Sequence, residues 1–402
     1  MRMARSAPNV SDLKRQALAA LDALAAEARE LALRIHANPE IGFEERQAVE
    51  WVSAALSRHG YNVEVGVADL PTAIRARARG ESEGPTVGLI AEYDALPGLG
   101  HACGHNLMAA GMVAAAAALK TVLPQLPGSV VYYGTPAEEG DGGKILMLER
   151  GAFGGLDVAL QYHAGEHASY ATGCLAVQGI RFAFTGRPAH AAAAPWKGVN
   201  ALDAVILTFN GVGALRQQIR PDARIHGIVT DGGQAVNIIP ERAAMALSAR
   251  SPDGQYVREL LDRLEACARG AAAATGTALA VERGLFLDGI KFNPALASIV
   301  KENARALGFE MAPRFVGAST DLGNLTQVVP TLSYGLPTCP PGVGMHTREA
   351  LEAGAAEIGL TGMLNDARVM VATAIDLLGS PEVLERVRGD FEAGNFSGAS
   401  SA

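Results

Sequence analysis

Val87-Gly88-Leu89-Ile90-Ala91-Glu92-Tyr93-Asp94-Ala95-Leu96-Pro97, continued by Gly98-Leu99-Gly100-His101-Ala102-Cys103-Gly104-His105-Asn106, decides the fold. Val87 to Ala91 is a short apolar run and reads as a strand. Asn106 to Val122 is longer and alanine-rich and reads as a helix. Two more strand-like runs follow, Val130 to Tyr133 and Val158 to Tyr162. Strand, helix, strand in this order predicts an α/β fold, a mixed or parallel sheet flanked by helices. Chemistry in such folds collects at the strand ends, which makes the polar residues from Glu92 to Asn106 the first candidates.

Outward from this stretch, residues 11–36 read as one helix, with Ser11 as N-cap and Leu13, Leu21, Leu24, Leu31 and Ile35 at helical spacing. Glu44 to Arg58 reads as a second helix stopped by Gly60. The composition shifts near residue 175. Val177 to Phe184, Arg224 to Thr230 and Ala243 to Arg250 read as strands, and Asn200 to Arg216 and Gln255 to Ala274 as helices. Helix-strand alternation then returns, with Pro294 to Leu307, Thr331 to Tyr334 and Glu352 to Leu378. The expected organisation is one domain built from 1–174 and 285–402, with an α+β domain, 175–284, inserted into it. The Gly- and Ser-rich tail from Gly394 is expected to be mobile.

Composition narrows the function. The 402 residues are 49% hydrophobic and 19% charged, which excludes a disordered chain. Two domains are the prior at this length. The longest weakly polar stretch, Leu107 to Leu119, falls short of the roughly 18 residues a membrane helix needs. Met1 to Val10 has two arginines but no apolar core behind them, so a secretory signal is not expected. The formal charge of −8 and the lack of a Lys/Arg block argue against nucleic acid or anionic membrane as partners. Cys103, Cys174, Cys267 and Cys339 are scattered, as expected for free thiols in a cytoplasmic protein.

Four clusters carry chemistry. Cys103 and His105, two apart before a helix, suit a transition metal; taken alone, such a pair reads first as a buried cysteine beside a capping histidine, and the other clusters shift the balance. Glu138-Glu139 follows the Val130 strand. In extended backbone two adjacent carboxylates point to opposite sides, so one can hold a metal while the other faces its water. His163 ends the Val158 strand, and His346 follows a Pro/Gly-rich loop. Five candidate ligands exceed one tetrahedral ion and suffice for two ions. A Cys103 nucleophile with a histidine base is the other enzymatic reading, but it leaves Glu138, Glu139, His163 and His346 without a role. A non-catalytic binding protein on the same scaffold is a third reading.

At these residues the chain resembles the two-metal aminoacylase and glutamate-carboxypeptidase family of metallopeptidases, and most closely its amidohydrolase branch of hippuricases, auxin-conjugate hydrolases and aminobenzoyl-glutamate hydrolases. The resemblance runs from His36-Ala37-Asn38-Pro39-Glu40-Ile41-Gly42-Phe43-Glu44-Glu45 through EYDALPGLGHACGHN, GTPAEEGDGGK, TGRPAHAAAAP, AVNIIPE and STDLGNLT to MHTRE. It implies Cys103, His105, Glu139, His163 and His346 as ligands of two divalent ions per subunit (Zn or Mn, with Co or Ni as alternatives), Glu138 as general base, and Asp94 orienting a ligand from behind. Where the wider family has His-x-Asp this chain has Glu92-Tyr93-Asp94, and Cys103 stands where the family has a bridging aspartate.

The same resemblance makes the middle unit a lid or dimerisation domain. It implies a homodimer, a catalytic His190 that in relatives reaches an active site, often the partner's, and a substrate contact at Asn237. Arg224 and Arg250 are candidates for a substrate carboxylate, with surface salt bridges as the competing role; Asp321 is a further candidate. The implied activity is hydrolysis of the amide bond of N-acyl amino acids or dipeptide-like substrates, with aromatic amides or amines as the alternative class.

Overall fold

A computed structural model describes residues 9–394 of the chain, and the tail expected to be mobile lies, after Gly394, outside them. The chain forms two compact units: Met1–Gly173 with Ile290–Val316 and Asn324–Ala402, and Cys174–Gly289 with Gly317–Gly323.

The strands among the described residues are β1 (Asn62–Val65), β2 (Ile74–Arg79), β3 (Ser82–Glu92), β4 (Pro127–Thr135), β5 (Val158–Tyr162), β6 (Ser169–Cys174), β7 (Ala176–Thr185), β8 (Arg224–Asp231), β9 (Arg242–Ser251), β10 (Ala278–Leu287), β11 (Ala312–Val316) and β12 (Thr331–Gly335). The first unit holds an eight-stranded sheet in the order β1-β2-β4-β3-β5-β12-β6-β11. Its four central strands, β4, β3, β5 and β12, are parallel, and β2 joins β4 antiparallel. The sheet is therefore mixed and flanked by helices, as the sequence predicts. β3 and β4 run in register to their ends, with Glu92 opposite Thr135, so the loops that leave them emerge side by side.

The helix after β3 spans His105–Val122, starting one residue before the expected Asn106. Gly104 precedes it at φ 75, and a Cβ there would stand 2.4 Å from the Cβ of Ala164, so both conformation and space demand glycine. Continued to Gln125, this helix is long and apolar enough to cross a membrane, contrary to the length argument from sequence. Its apolar stretch is 83% buried inside the protein, the state of an all-round apolar core helix.

Several expectations are corrected. Residues 11–36 form two helices, Val10–Ala23 and Ala25–Ala37, with Leu24 at their junction. Asn9 is the N-cap, its side chain accepting from Ser11 N at 3.0 Å. The expected 352–378 helix divides into Arg348–Ala353 and Glu357–Gly379 around Gly354. β2 escapes a search for apolar runs because it alternates Ile, Ala and Ala inward with three arginines.

The second unit is a four-stranded antiparallel sheet, β10-β7-β9-β8, with two helices, Ala201–Leu215 and Gly254–Thr275. Ala243, Met245, Leu247 and Ala249 of β9 point into its core at the strand period of two. Asp253 caps the longer helix by accepting from Tyr256 N at 3.1 Å, and Gly276 ends it at φ 72. The chain returns to the first unit at Ile290 rather than 285, because β10 extends to Leu287 as the partner of β7. Gly317–Gly323 belongs to the second unit through Leu175 N donating to Ala318 O at 3.0 Å and Arg250 Nη1 donating to Ser319 Oγ at 3.0 Å.

Candidate metal centre

Three of the four clusters follow the carboxyl ends of adjacent parallel strands. Asp94 and Cys103-His105 follow β3, Glu138-Glu139 follow β4, and His163 follows β5. His346 arrives on the loop after β12 with φ 65, a left-handed conformation uncommon for a side-chain-bearing residue. The structure brings all five expected ligands into two trios that share one atom. Cys103, His105 and His163 form one, and Cys103, Glu139 and His346 the other.

The spacing matches metal coordination. Ligand atoms at ordinary zinc distances around a tetrahedral ion stand about 3.3–3.6 Å from one another. Cys103 Sγ lies 3.6 Å from His163 Nε2 and 3.3 Å from His346 Nε2. His346 Nε2 lies 3.4 Å from Glu139 Oε2. The histidines also present the required lone pairs. His105 Nδ1 faces Asp94 O at 2.9 Å and Asp94 Oδ1 at 3.1 Å, and His163 Nδ1 faces Ala164 O at 2.9 Å. With Nδ1 carrying the proton on each ring, Nε2 is the metal-directed atom. Asp94 lies behind the His105 ring, and its Oδ2 also accepts from Glu139 N at 2.9 Å, tying the two ligand loops together.

Electrostatics follow from burial. Burial pushes the Cys103 thiol up to about 12, against the pull of His105 beside it. Burial would lower His105, but Cys103 and Asp94 beside it hold it well above the ordinary imidazole value. His163 is lowered by burial. Glu92 Oε2 and His105 Nε2 face each other at 3.3 Å without making a hydrogen bond, and Glu139 Oε1 is buried with no hydrogen-bond partner among the described residues. Orphans of this kind cost about 1–3 kcal/mol each, and divalent cations would satisfy them. This donor set fits two such ions.

In the sequence Glu92 reads only as the loss of a histidine. In the structure its Oε1 is 2.6 Å from Lys144 Nζ and accepts from Gln161 Nε2 at 2.7 Å, and all three side chains are buried. Its Oε2 is 3.3 Å from His105 Nε2, and Glu92, His105 and Glu138 form a third trio. Burial would raise the Glu92 carboxyl, but Lys144, then His105 and His163, hold it below the ordinary value. No local pattern announces Lys144, which meets Glu92 only because β4 lies beside β3.

The second-unit candidates are placed differently. His190 is exposed, and its Nδ1 accepts from Ala192 N and Ala193 N at 3.2 Å each. That turn leaves Nε2 as the protonated, donating nitrogen. Asn237 is exposed, with its backbone carbonyl accepting from Ala191 N at 3.0 Å. Arg224 Nη1 donates to Pro221 O at 2.5 Å and Ala223 O at 2.7 Å, and Arg250 to Ser319, so both guanidiniums are engaged by local acceptors rather than by the expected salt bridges. Asp321 is fully buried. His36, which the sequence leaves without a functional role, faces Leu351 O through Nε2 at 2.8 Å.

Comparison with known proteins agrees with this geometry. Residues 88–363 match peptidase family M20/M25/M40. The chain is 37% identical to Xaa-Arg dipeptidase of Mus musculus over 411 residues, covering 96% of this chain and 94% of that one. It is 29% identical to a chain of the p-aminobenzoyl-glutamate hydrolase of Escherichia coli, covering 87% and 88%. A dinuclear metal-binding peptidase of the M20 family from Bacillus subtilis shares the fold, with TM-score 0.66 at 19% identity over 87% of this chain and 98% of that one. The chain belongs to peptidase family M20/M25/M40 and is a metal-dependent hydrolase of its amidohydrolase branch.

Proposed function

We propose that this chain hydrolyses the amide bond of dipeptides, first among them those with a C-terminal arginine, and of N-acyl amino acids. The observation that carries the reading is the pair of donor trios sharing Cys103, with Glu138 next to the ligand Glu139. The substrate class is supported by the 37% identity to a dipeptidase along nearly the whole chain.

Cys103, His105 and His163 would hold one divalent ion, and Cys103, Glu139 and His346 the other; the mixed sulfur, nitrogen and oxygen donors suit Zn, with Mn, Co or Ni as alternatives. When bound, the ions supply polarisation of the scissile carbonyl and a lowered pKa for the attacking water. Glu138 takes the proton from that water and delivers it to the leaving nitrogen. Asp94 fixes the His105 ring by accepting at Nδ1. His190 donates from Nε2 to the developing oxyanion, the tautomer that its turn selects. A bare cysteine nucleophile is disfavoured by the burial of Cys103 and gives Glu139 and His346 no work.

The reading includes a homodimer joined through the second unit. β8 is an edge strand with Ile228 and Val229 exposed at 65% and 46%, and the helix Ala201–Leu215 exposes Ile206 and Leu207. An exposed edge strand beside apolar side chains is a surface a second copy can cover. A cytoplasmic location is part of the same reading, supported by four free cysteines.

A panel of dipeptides, N-acyl amino acids and aryl amides, assayed after chelation and after metal restoration, tests the reading. It expects turnover of the first two classes that is lost with the chelator and regained with metal. Turnover of aryl amides alone, or turnover indifferent to chelation, would overturn it.

A further inference from the structure

The segment His36–Glu45 is the first stretch of the resemblance, yet none of its residues enters the chemistry above. Three observations tie it to the catalytic loop. Ala137, which precedes Glu138, has φ 55, a left-handed conformation that costs a residue with a Cβ about 1 kcal/mol or more. Its N–H donates to Glu45 Oε1 at 2.9 Å. A Cβ on Gly42 would lie 2.8 Å from the Cβ of Ala137, so the segment closes directly over that turn.

Glu45 does not serve as a helix cap. It occupies the N-cap position of the helix Arg46–Arg58 but makes no side-chain cap. Glu40 serves that helix instead, its carboxylate accepting from Gln47 N at 2.9 Å and Ala48 N at 3.0 Å. Glu40 O also accepts from Ala95 N at 2.8 Å, beside Asp94. The Glu45 carboxyl is fully buried, and its Oε2 has no hydrogen-bond partner among the described residues. Burying a carboxyl is expensive; besides its own N–H and the Thr72 side chain, the group that Glu45 secures in return is the peptide ahead of Glu138.

We infer that Glu45 is a positioning residue for Glu138: its buried carboxyl holds Ala137 in the left-handed turn that delivers Glu138 and Glu139 from β4. The inference rests on the reading of Glu138 as general base. Without the clamp the turn relaxes toward ordinary backbone and Glu138 drifts from its water. A displacement of about 1 Å at such a group costs on the order of 100-fold in rate.

The test compares kcat, KM and cobalt stoichiometry in four variants. Glu45→Met, of similar length but without an acceptor, should lower kcat by about 10–100-fold with KM and cobalt content near wild type. Glu45→Gln, which keeps the acceptor, should restore most of kcat. Gly42→Ala, which drives a Cβ into Ala137, should lower kcat in the same way. Gly42→Ala/Ala137→Gly, which removes the struck Cβ and makes the left-handed turn easy, should recover it. If Glu45→Met does not fold, the Gly42 pair decides alone. Equal losses in Glu45→Met and Glu45→Gln, or a Gly42→Ala enzyme with wild-type kcat, would overturn the inference. Glu138→Gln separates the parent reading: full turnover there sinks the general base itself, whereas a dead Glu138→Gln beside an unimpaired Glu45→Met sinks only the clamp.

Discussion

Replacing Lys144 by methionine should destabilise the first unit strongly. The Lys144 ammonium and the Glu92 carboxylate are 2.6 Å apart with side-chain exposures of 0% and 1%. Methionine fills nearly the same space but leaves a buried carboxylate that keeps the Gln161 amide as donor at Oε1 and His105 Nε2 at 3.3 Å from Oε2. Removing one member of such a pair costs about 3–5 kcal/mol, because the survivor stays desolvated. The first unit has roughly 280 residues, which at about 2.1 cal/mol/K per residue gives an unfolding entropy near 0.6 kcal/mol/K. The expected drop in Tm is therefore about 5–9 °C. Calorimetry on the chelated protein is the assay, since bound metal would add its own stabilisation. Glu92→Gln/Lys144→Met, which removes both charges, should regain most of the loss. An unchanged Tm in Lys144→Met, or a double variant as unstable as the sum of the singles, would refute the buried pair as a coupled unit.

Cys103→Ala should lower metal content, and bound metal should protect the wild-type thiol from alkylation; equal alkylation rates in metal-loaded and metal-free protein would remove Cys103 from the ligands. Burial raises the Glu45 carboxyl to about 7 from 4.5. The folded form then binds the proton more tightly than the unfolded one, so its contribution is fully present below pH 4.5 and is lost as pH rises through about 7. Glu45→Gln should flatten that decline by about 3 kcal/mol between pH 4.5 and 8 in denaturant titrations, at about 1.4 kcal/mol per pH unit, and an unchanged slope would contradict the raised value. Glu138→Gln and His190→Ala should each be nearly inactive, yet mixed dimers should recover activity if His190 acts on the partner's site, because one of the two sites then has both residues intact. Verified mixed dimers without activity would exclude action in trans.

What sequence makes legible, and what it hides, divides along a physical line. The central parallel strands are readable because strands buried on both faces are continuous apolar runs, as Val87 to Ala91 and Val158 to Tyr162 are. Cys103, His105, Glu139 and His163 are readable because each follows such a run and is of a type that packing alone does not call for there; His346 follows a Pro/Gly-rich loop. β2 is hidden because alternating arginines break its apolar pattern. Glu92 reads as an absent histidine because its meaning depends on Lys144 and Gln161, and both reach it only through strand pairing. Asp321 is legible as a motif residue but not as a buried one. The break at Leu24 carries no glycine or proline to announce it.

The most direct test of the account is metal content and turnover measured together on Glu138→Gln. The variant keeps every proposed ligand and removes only the carboxylate that takes the proton. The account predicts two divalent ions per chain, as in the wild type, and a loss of at least about 10²–10⁴ in kcat for the best substrate of the panel. Turnover within a few-fold of wild type, with metal fully bound, would contradict it.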